Sequence, residues 1–233
     1  TAEKLADQYD ISREEQDEFA VLSNQRAAKA REAGIYAEEI VPVEVKKRRD
    51  TVVVSEDEHI KPEATVEGLA KLRPAFKQDG SVTAGNASGI NDGAASLIIA
   101  SEEAVQKYSL KPIARIVSSG TVGVDPTVMG IGPVPAIRQA LERAQLTIED
   151  MDRVEINEAF ASQYLAVEKE LGLDREKTNV HGGAIALGHP VGASGARILL
   201  SAAMELQREN LQYAVASLCI GGGQGIAVVI EKV

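Results

Sequence analysis

A chain of 233 residues with 44% hydrophobic content is long enough to bury a substantial core. Its formal net charge of -10, without a long basic stretch interleaved with aromatic residues, argues against nucleic acid as a partner. The single cysteine excludes an internal disulfide framework, and no apolar run reaches membrane-spanning length, so we expect a cytoplasmic protein with no membrane partner.

Residues 1–90 form a mixed, loop-rich region around a few regular elements. Ser12 to Glu15 follows the S-x-x-E pattern of a capping box, so a helix begins there, and Gly34 ends it. Two short β-rich runs, 40–45 and 51–54, flank the basic run 46–49. We interpret the basic run as a solvated surface loop, with the binding of a small anionic ligand as the alternative.

Small and turn-forming residues fill the segment 83–93, a composition that lets the backbone approach a ligand closely or serves as an ordinary linker. After it, residues 97–100 predict a strand, and Ser101 predicts the cap of a helix that runs to about Tyr108. We expect three parts, namely a loop region over 1–90, a strand and helix over 91–112, and one domain over 113–233.

A regular alternation of strands and helices begins at Ile113. The last two strands are joined by a connection too short for a crossover and are therefore antiparallel neighbours, which makes the order βαβαβαββ. The predicted strands are 113–119, 154–156, 178–180, 213–220 and 225–231, with helices after Pro133, over 158–171 and after Val191. This pattern predicts an α/β fold with a mixed five-stranded sheet and helices on both faces.

Three chemically useful side chains follow different predicted strands. Asn157, His189 and Cys219 each stand where a strand gives way to a turn, and glycines surround the last two. In such sheets ligands bind beyond the carboxyl ends of the strands, because that edge carries the loops and the helix N-termini. We expect the three side chains to meet there, where a thiol and an imidazole can activate a nucleophile and move a proton.

Taken singly, each of these residues also has a plain structural interpretation. A lone cysteine such as Cys219 is more often buried and inert, His189 alone is equally a satisfied loop histidine, and Asn157 is a candidate helix cap. The glycines around His189 match neither phosphate-loop pattern, and Cys219 with the histidines lacks metal-ligand spacing. We therefore predict no metal site.

Three sequence motifs resemble the C-terminal signatures of thiolases. They are NEAFA at 157–161, HGGAIALGHPVGASG at 181–195 and CIGGG at 219–223. The segments 72–76 and 83–92 look most like the biosynthetic acetoacetyl-CoA thiolases, also called acetyl-CoA acetyltransferases. The resemblance covers the whole chain, and it implies a C-terminal portion that lacks the N-terminal domain with the cysteine that becomes acylated.

The resemblance implies an acetyl-CoA C-acetyltransferase, which joins two acetyl-CoA in a Claisen condensation to acetoacetyl-CoA and, in reverse, cleaves a 3-ketoacyl-CoA with CoA. It implies CoA thioesters as substrates, no cofactor, and a homo-oligomer in the full-length form. Without the acylated cysteine, the chain alone is expected to be inactive. A longer-chain 3-ketoacyl-CoA thiolase and a non-catalytic CoA-binding or interaction module are the alternatives.

The resemblance also implies roles for individual positions. His189 activates the nucleophilic cysteine and forms an oxyanion hole with a water held by Asn157. Cys219 is the acid and base, with a pKa brought toward neutrality by a nearby imidazole and helix N-termini, and the backbone amide of Gly221 serves a second oxyanion hole. The positions assigned to CoA are Lys61, where relatives often carry arginine, Leu72, Phe76, Ala84, Ser88, Met129 and Phe160.

Overall fold

The computed structural model describes residues 1–48 and 50–233, so the last residue of the predicted basic run, Arg49, lies outside the described residues. The helices are α1 Ala2–Gln8, α2 Arg13–Glu32, α3 Val66–Leu69, α4 Glu102–Tyr108, α5 Pro133–Ala144, α6 Ala161–Leu171, α7 Ala184–Leu187 and α8 Ser194–Arg208, with 3₁₀ helices at Tyr36–Glu38 and Pro126–Ile131. The strands are β1 Val43–Lys47, β2 Asp50–Val54, β3 Ala114–Gly123, β4 Arg153–Ile156, β5 Tyr213–Ile220 and β6 Gln224–Lys232.

The main sheet of the described residues has four strands in the order β3-β6-β5-β4, with only β4 and β5 parallel. The prediction of a fifth strand over 178–180 is wrong, because Thr178 makes a single bridge to Val154. Asn179 then turns into the left-handed region at φ 46°, and its side chain, not a further ladder, bonds Ile156. The α/β class and the antiparallel final pair are confirmed.

Both faces of the sheet are covered, as predicted. Successive side chains of a strand point to opposite faces, and in β6 Ala227 and Val229 belong to the core formed with α5 and α6, whereas Ile230 packs with α8. The small side chains of the sheet let α5 approach closely, since a Cβ added at Gly120 would lie 2.2 Å from the carbonyl oxygen of Ala136. The sheet is thus a layer between helices.

The first seven residues of α6, Ala161 to Val167, are all buried. Tyr164 is fully buried and stacks on Phe19 of α2 with ring centroids 4.1 Å apart, and Leu5 of α1 belongs to the same core. The capping box at the start of α2 is present, with Ser12 and Glu15 each bonding the other's backbone N–H. The N-terminal helices therefore complete the core around α6.

The strand predicted over 97–100 is not formed in the described structure. Ile98 and Ile99 are 91% and 69% exposed, and this extended segment has no neighbouring strand to hydrogen-bond with. The cap at Ser101 is confirmed, because its side chain accepts the backbone N–H of Ala104. Within 1–48 and 50–233, no helix combines the length and apolar character needed to cross a bilayer.

Candidate active site

The carboxyl edge of the two parallel strands brings Asn157 and Cys219 into the same neighbourhood. In the register of β4 and β5, Ile156 lies opposite Ser217, and the backbone N–H of Asn157 donates to the carbonyl of Ser217 at 3.0 Å. Cys219 is two residues farther along β5, so it lies at the edge just beyond this hydrogen bond. The sheet topology therefore places the two residues as the sequence predicted.

Asn157 is in direct contact with His189. Its side-chain Nδ2 lies 3.4 Å from Nε2 of His189, and the asparagine is only 1% exposed. Its Oδ1 is buried and has no hydrogen-bond partner among the described residues. Asn157 is not the cap of α6, since Phe160 occupies that position. A buried, unpaired acceptor beside an imidazole is suited to hold a water or a polar group of a ligand.

The backbone around His189 is fixed by a segment that is distant in sequence. The His189 N–H donates to the carbonyl of Gly89 and to Oδ1 of Asn91, both at 3.2 Å. Gly188 adopts φ 91°, and a Cβ there would lie 2.4 Å from Oδ1 of Asn91, so glycine is required both for its conformation and for the space. These contacts orient the histidine toward Asn157.

The imidazole of His189 is held on its other side by a serine. Nδ1 lies 2.6 Å from Oγ of Ser194, in the first turn of α8. Burial, with a further contribution from the positive charge of Arg197, lowers the pKa of His189 below its usual value. The ring is therefore neutral near pH 7 and has a nitrogen lone pair available as a base.

Cys219 differs from the expectation that its thiol would ionise near neutral pH. The residue is 7% exposed, and burial raises its pKa to about 11. The described residues provide no hydrogen bond from the imidazole of His189 to this thiol. The expected lowering of the pKa is therefore wrong for the chain by itself, because desolvation of the thiolate dominates.

Gly221 lies in the open turn that follows β5. It is exposed, and a Cβ added there would meet no atom within 4 Å, whereas Gly222 and Gly223 adopt positive φ values of 88° and 90°. The two left-handed glycines allow the tight connection to β6. The Gly221 backbone is thus available to a ligand approaching from solvent.

Several residues predicted to contact CoA form one surface beside Asn157. Phe76 and Phe160 pack edge to face with ring centroids 6.1 Å apart. The Ser88 N–H donates to the carbonyl of Ala159, which precedes Phe160. Leu72 lies so close to Gly85 that a Cβ there would be 2.6 Å from its Cδ1. Leu72 and Phe76 are exposed, so an apolar patch faces solvent at this point.

Of the remaining residues predicted to contact CoA, one lies in this patch and two lie away from it. Ala84 is exposed next to Gly85 in this patch, and Met129 is half-buried in the 3₁₀ helix that precedes α5. The chain leading into that helix borders the turn after β5, since the Val124 N–H donates to the carbonyl of Gly223. Lys61 is exposed, and its backbone bonds Asn24 of α2, so the structure does not join it to the other positions.

The sequence interpretation missed a buried polar network behind the site. Oε2 of Glu158 accepts the hydroxyl of Ser23 at 2.7 Å and the N–H of Ile185, and Oε1 accepts Nδ2 of Asn179 at 2.9 Å. Burial raises the pKa of Glu158. A Cβ at Gly183 would lie 2.3 Å from its carboxyl carbon. The network ties the end of β4 to the loop that carries His189.

A cavity of about 320 Å³ lies behind the histidine loop. Its lining includes Asn91, Pro190 and Arg197, together with the acidic residues 56–58. The residues predicted to contact CoA do not line it. Within the described chain, no group of three or more histidine, cysteine, aspartate or glutamate side chains is placed to hold a metal ion.

Two family models match the chain. The model described as thiolase, N-terminal domain, matches residues 1–103, and the model described as thiolase, C-terminal domain, matches residues 110–232. The expectation that the N-terminal domain is lacking is therefore wrong as stated, because residues 1–103 match its model. The signals that carried the resemblance lie mostly in the second of these regions.

Individual proteins show the same similarity. The chain is 58% identical over 232 residues to a mitochondrial 3-ketoacyl-CoA thiolase of Pongo abelii, and the match covers 100% of this chain and 58% of that protein. The fold is similar to the Bacillus anthracis acetyl-CoA acetyltransferase, with a TM-score of 0.98, 56% identity, and coverage of 100% and 59%. It is also similar to human mitochondrial 3-ketoacyl-CoA thiolase in complex with CoA, with a TM-score of 0.96, 57% identity, and coverage of 100% and 58%. The chain thus spans less than two thirds of the length of these relatives.

Proposed function

Because this chain belongs to the thiolase family, we propose that it supplies the acid–base and thioester-binding residues of an acetyl-CoA C-acetyltransferase. The proposed reaction condenses two acetyl-CoA to acetoacetyl-CoA with release of CoA, and runs in reverse as thiolysis. One observation carries the proposal, namely the contact between Asn157 and His189 beside an unpaired buried amide oxygen. That arrangement suits a site where negative charge develops on a thioester oxygen.

In this proposal His189 first acts as a base and then as a hydrogen-bond donor. The neutral ring accepts a proton at Nε2 from the thiol that is to be acylated, and the resulting Nε2–H donates to the thioester oxygen of the second acetyl-CoA. A water held at Oδ1 of Asn157 is the other donor of this oxyanion hole. The thiol to be acylated has no counterpart here, since Cys219 is the single cysteine, so we expect the chain alone to be inactive.

Cys219 is proposed to remove the proton from the α-carbon of acetyl-CoA. The raised pKa makes its thiolate a strong base, but it also makes the thiolate scarce at neutral pH. In the acylation step the Cys219 thiol gives its proton to the departing CoA thiolate, and the Cys219 thiolate formed in this way then takes the α-proton of the second acetyl-CoA. Gly221, exposed just beyond the thiol, is proposed to donate its backbone N–H to the oxygen of the acyl group on the nucleophilic cysteine.

The apolar patch of Leu72, Phe76 and Phe160 is proposed to bind the pantetheine arm of CoA. The exposed ring of Phe76, which packs on the half-buried ring of Phe160, offers an apolar surface to the arm, and Ser88 and Ala84 border it. Ile90, Ile98 and Val191 are also exposed, and such apolar surface supports association of the full-length protein with further copies. We propose no metal or redox cofactor.

A longer-chain 3-ketoacyl-CoA thiolase is the second candidate, supported by the similarity to the Pongo abelii protein of that name. The two candidates share the reaction and differ in the acyl chain. Measuring thiolysis of acetoacetyl-CoA and of a long-chain 3-ketoacyl-CoA by the full-length protein distinguishes them. A higher kcat/KM for acetoacetyl-CoA is the expected result, and a preference for the long chain overturns the first assignment.

The same assay tests the family reaction itself. We expect His189→Ala to lower turnover much more than CoA binding, because the interaction of His189 is with charge that develops during the reaction. His59→Ala is the control, since the imidazole of His59 also makes a hydrogen bond, to the carbonyl of Ala186, but lies outside the proposed steps. Unchanged turnover in His189→Ala contradicts the proposal, and CoA binding without any turnover by the full-length protein favours a non-catalytic binding module.

A further inference from the structure

The hydroxyl of Ser194 lies between two hydrogen-bond partners at the start of α8. Its Oγ is 2.6 Å from Nδ1 of His189 and 3.0 Å from the carbonyl oxygen of Pro190, which also accepts the backbone N–H of Ser194. An oxygen–oxygen contact of 3.0 Å is repulsive unless a hydrogen lies between the two atoms. The single hydroxyl proton therefore points to Pro190, and Ser194 Oγ accepts an N–H from Nδ1.

A second contact, on the opposite side of the ring, requires the same proton position. Nδ2 of Asn157 is only a donor, and it lies 3.4 Å from Nε2 of His189. A donor facing a nitrogen is favourable when that nitrogen carries a lone pair instead of a proton. Since Ser194 is 1% exposed, water does not readily replace its hydroxyl beside the ring.

We infer that Ser194 is a positioning residue that holds the neutral imidazole of His189 in the tautomer with the proton on Nδ1 and the lone pair on Nε2. The catalytic meaning rests on the proposed function. With this tautomer, Nε2 is both the atom that accepts the proton from the nucleophilic thiol and the atom that then donates to the thioester oxygen. The ring performs both steps without turning, because Nδ1 stays bonded to Ser194 throughout.

The tautomer can be read directly from long-range nitrogen–proton NMR spectra of the ¹⁵N-labelled protein at about pH 8, where histidine is neutral. The chain has three histidines, so substitution of each in turn assigns the signals. We expect the Nδ1–H pattern at His189. Ser194→Ala is expected to shift it toward Nε2–H, whereas Ser194→Thr retains a hydroxyl and the original pattern.

Ser201→Ala is the matched control, because Ser201 lies on the same helix and bonds Glu39 instead of the histidine. It is expected to leave the His189 signals unchanged. An Nε2–H pattern in the unsubstituted protein overturns the inference, as does an unchanged pattern in Ser194→Ala. The unsubstituted protein suffices for the first of these tests if Ser194→Ala does not fold.

In the full-length protein, Ser194→Ala is expected to lower kcat roughly 10-fold or more with KM little changed, because a histidine in the wrong tautomer cannot accept the proton where it is needed. Ser194→Thr is expected to restore most of kcat. Equal activity of Ser194→Ala and the unsubstituted enzyme overturns the positioning role. If the expected tautomer is found but the full-length protein shows no thiolase turnover, the inference is retained and the proposed function is overturned, so the two failures are distinguishable.

Discussion

Nδ2 of Asn157 lies 3.4 Å from Nε2 of His189, although 32 residues separate the two in the chain. The contact forms because Asn157 leaves the sheet at the end of β4 while His189 is held by the segment 89–91. The two residues lie outside the regular elements and do not meet within one helix or one pair of strands. The pairing is therefore a product of the tertiary fold.

Asn157→Ala in the full-length protein is expected to lower kcat by about 10²- to 10³-fold, the range found for loss of one oxyanion-hole group. The reason is that the buried, unpaired Oδ1 is the group proposed to hold a water, whose hydrogen bond to the substrate matters most when charge develops. Steady-state kinetics check the prediction, with KM for the CoA thioester expected to change little. A loss confined to KM would assign Asn157 to substrate binding.

Gly221→Ala is expected to lower turnover without changing the stability of the fold. A Cβ at this position meets nothing within 4 Å, so the free energy of unfolding should be unchanged. In the full-length protein, by contrast, the methyl group occupies the space that the proposed acyl oxygen needs, and turnover should fall. Urea unfolding and kinetics together check this, and Gly192→Ala, which also meets open space, is the control. Normal turnover in Gly221→Ala contradicts its assigned role.

Gly183→Ala is expected to destabilise the fold by about 1–3 kcal/mol, because the new Cβ would overlap the buried carboxylate of Glu158. The carboxylate cannot move away without giving up its hydrogen bonds to Ser23 and Asn179. Urea unfolding measures the loss. Gly192→Ala again serves as the control, and equal stability of the two variants would show that the network is not rigid.

The thiol of Cys219 should react slowly with an alkylating reagent in the folded chain. Its pKa of about 11 keeps the thiolate scarce at neutral pH, and the rate should rise with pH without a plateau below about pH 11. Since burial raises the pKa of Cys219 above its usual value of 9.0, the corresponding stability is present below pH 9 and is lost as pH rises toward 11. Chain unfolded in urea is the control, and rapid alkylation of the folded chain at pH 7 would contradict the prediction.

The sequence predicted where Asn157, His189 and Cys219 lie better than it predicted the strands of the sheet. The alternation of apolar residues located β4, β5 and β6, and sheet topology then placed Asn157 and Cys219 at one edge. The false strand over 178–180 has β-like composition, but Asn179 adopts a left-handed backbone that a propensity argument does not detect. That turn depends on the side-chain bonds of Asn179 to Ile156, which are tertiary information.

Other features could not be predicted from the sequence because they depend on burial and on tertiary contacts. The pKa of Cys219 follows from how completely the folded chain excludes water from the thiol, and no motif encodes that quantity. Asn91 bonds His189, which is 98 residues away in the chain. Ser194 is near His189 in the chain, but its contact depends on the hydroxyl facing the imidazole. Ser194 did lie inside a recognised motif, five residues after His189, which was the available signal.

The strip of residues 86–91 is hydrogen-bonded both to the segment 159–161, which follows β4, and to His189. The Ser88 N–H bonds Ala159, the carbonyl of Asn86 accepts the N–H of Ala161, and Gly89 accepts the N–H of His189. Because all of these bonds share one strip, opening it breaks them together. We therefore expect the amides of Ser88, Ala161 and His189 to exchange with deuterium as a single cooperative unit, with a common opening free energy below that of global unfolding. A local fluctuation of this strip would disassemble the two halves of the site at once while leaving the sheet intact.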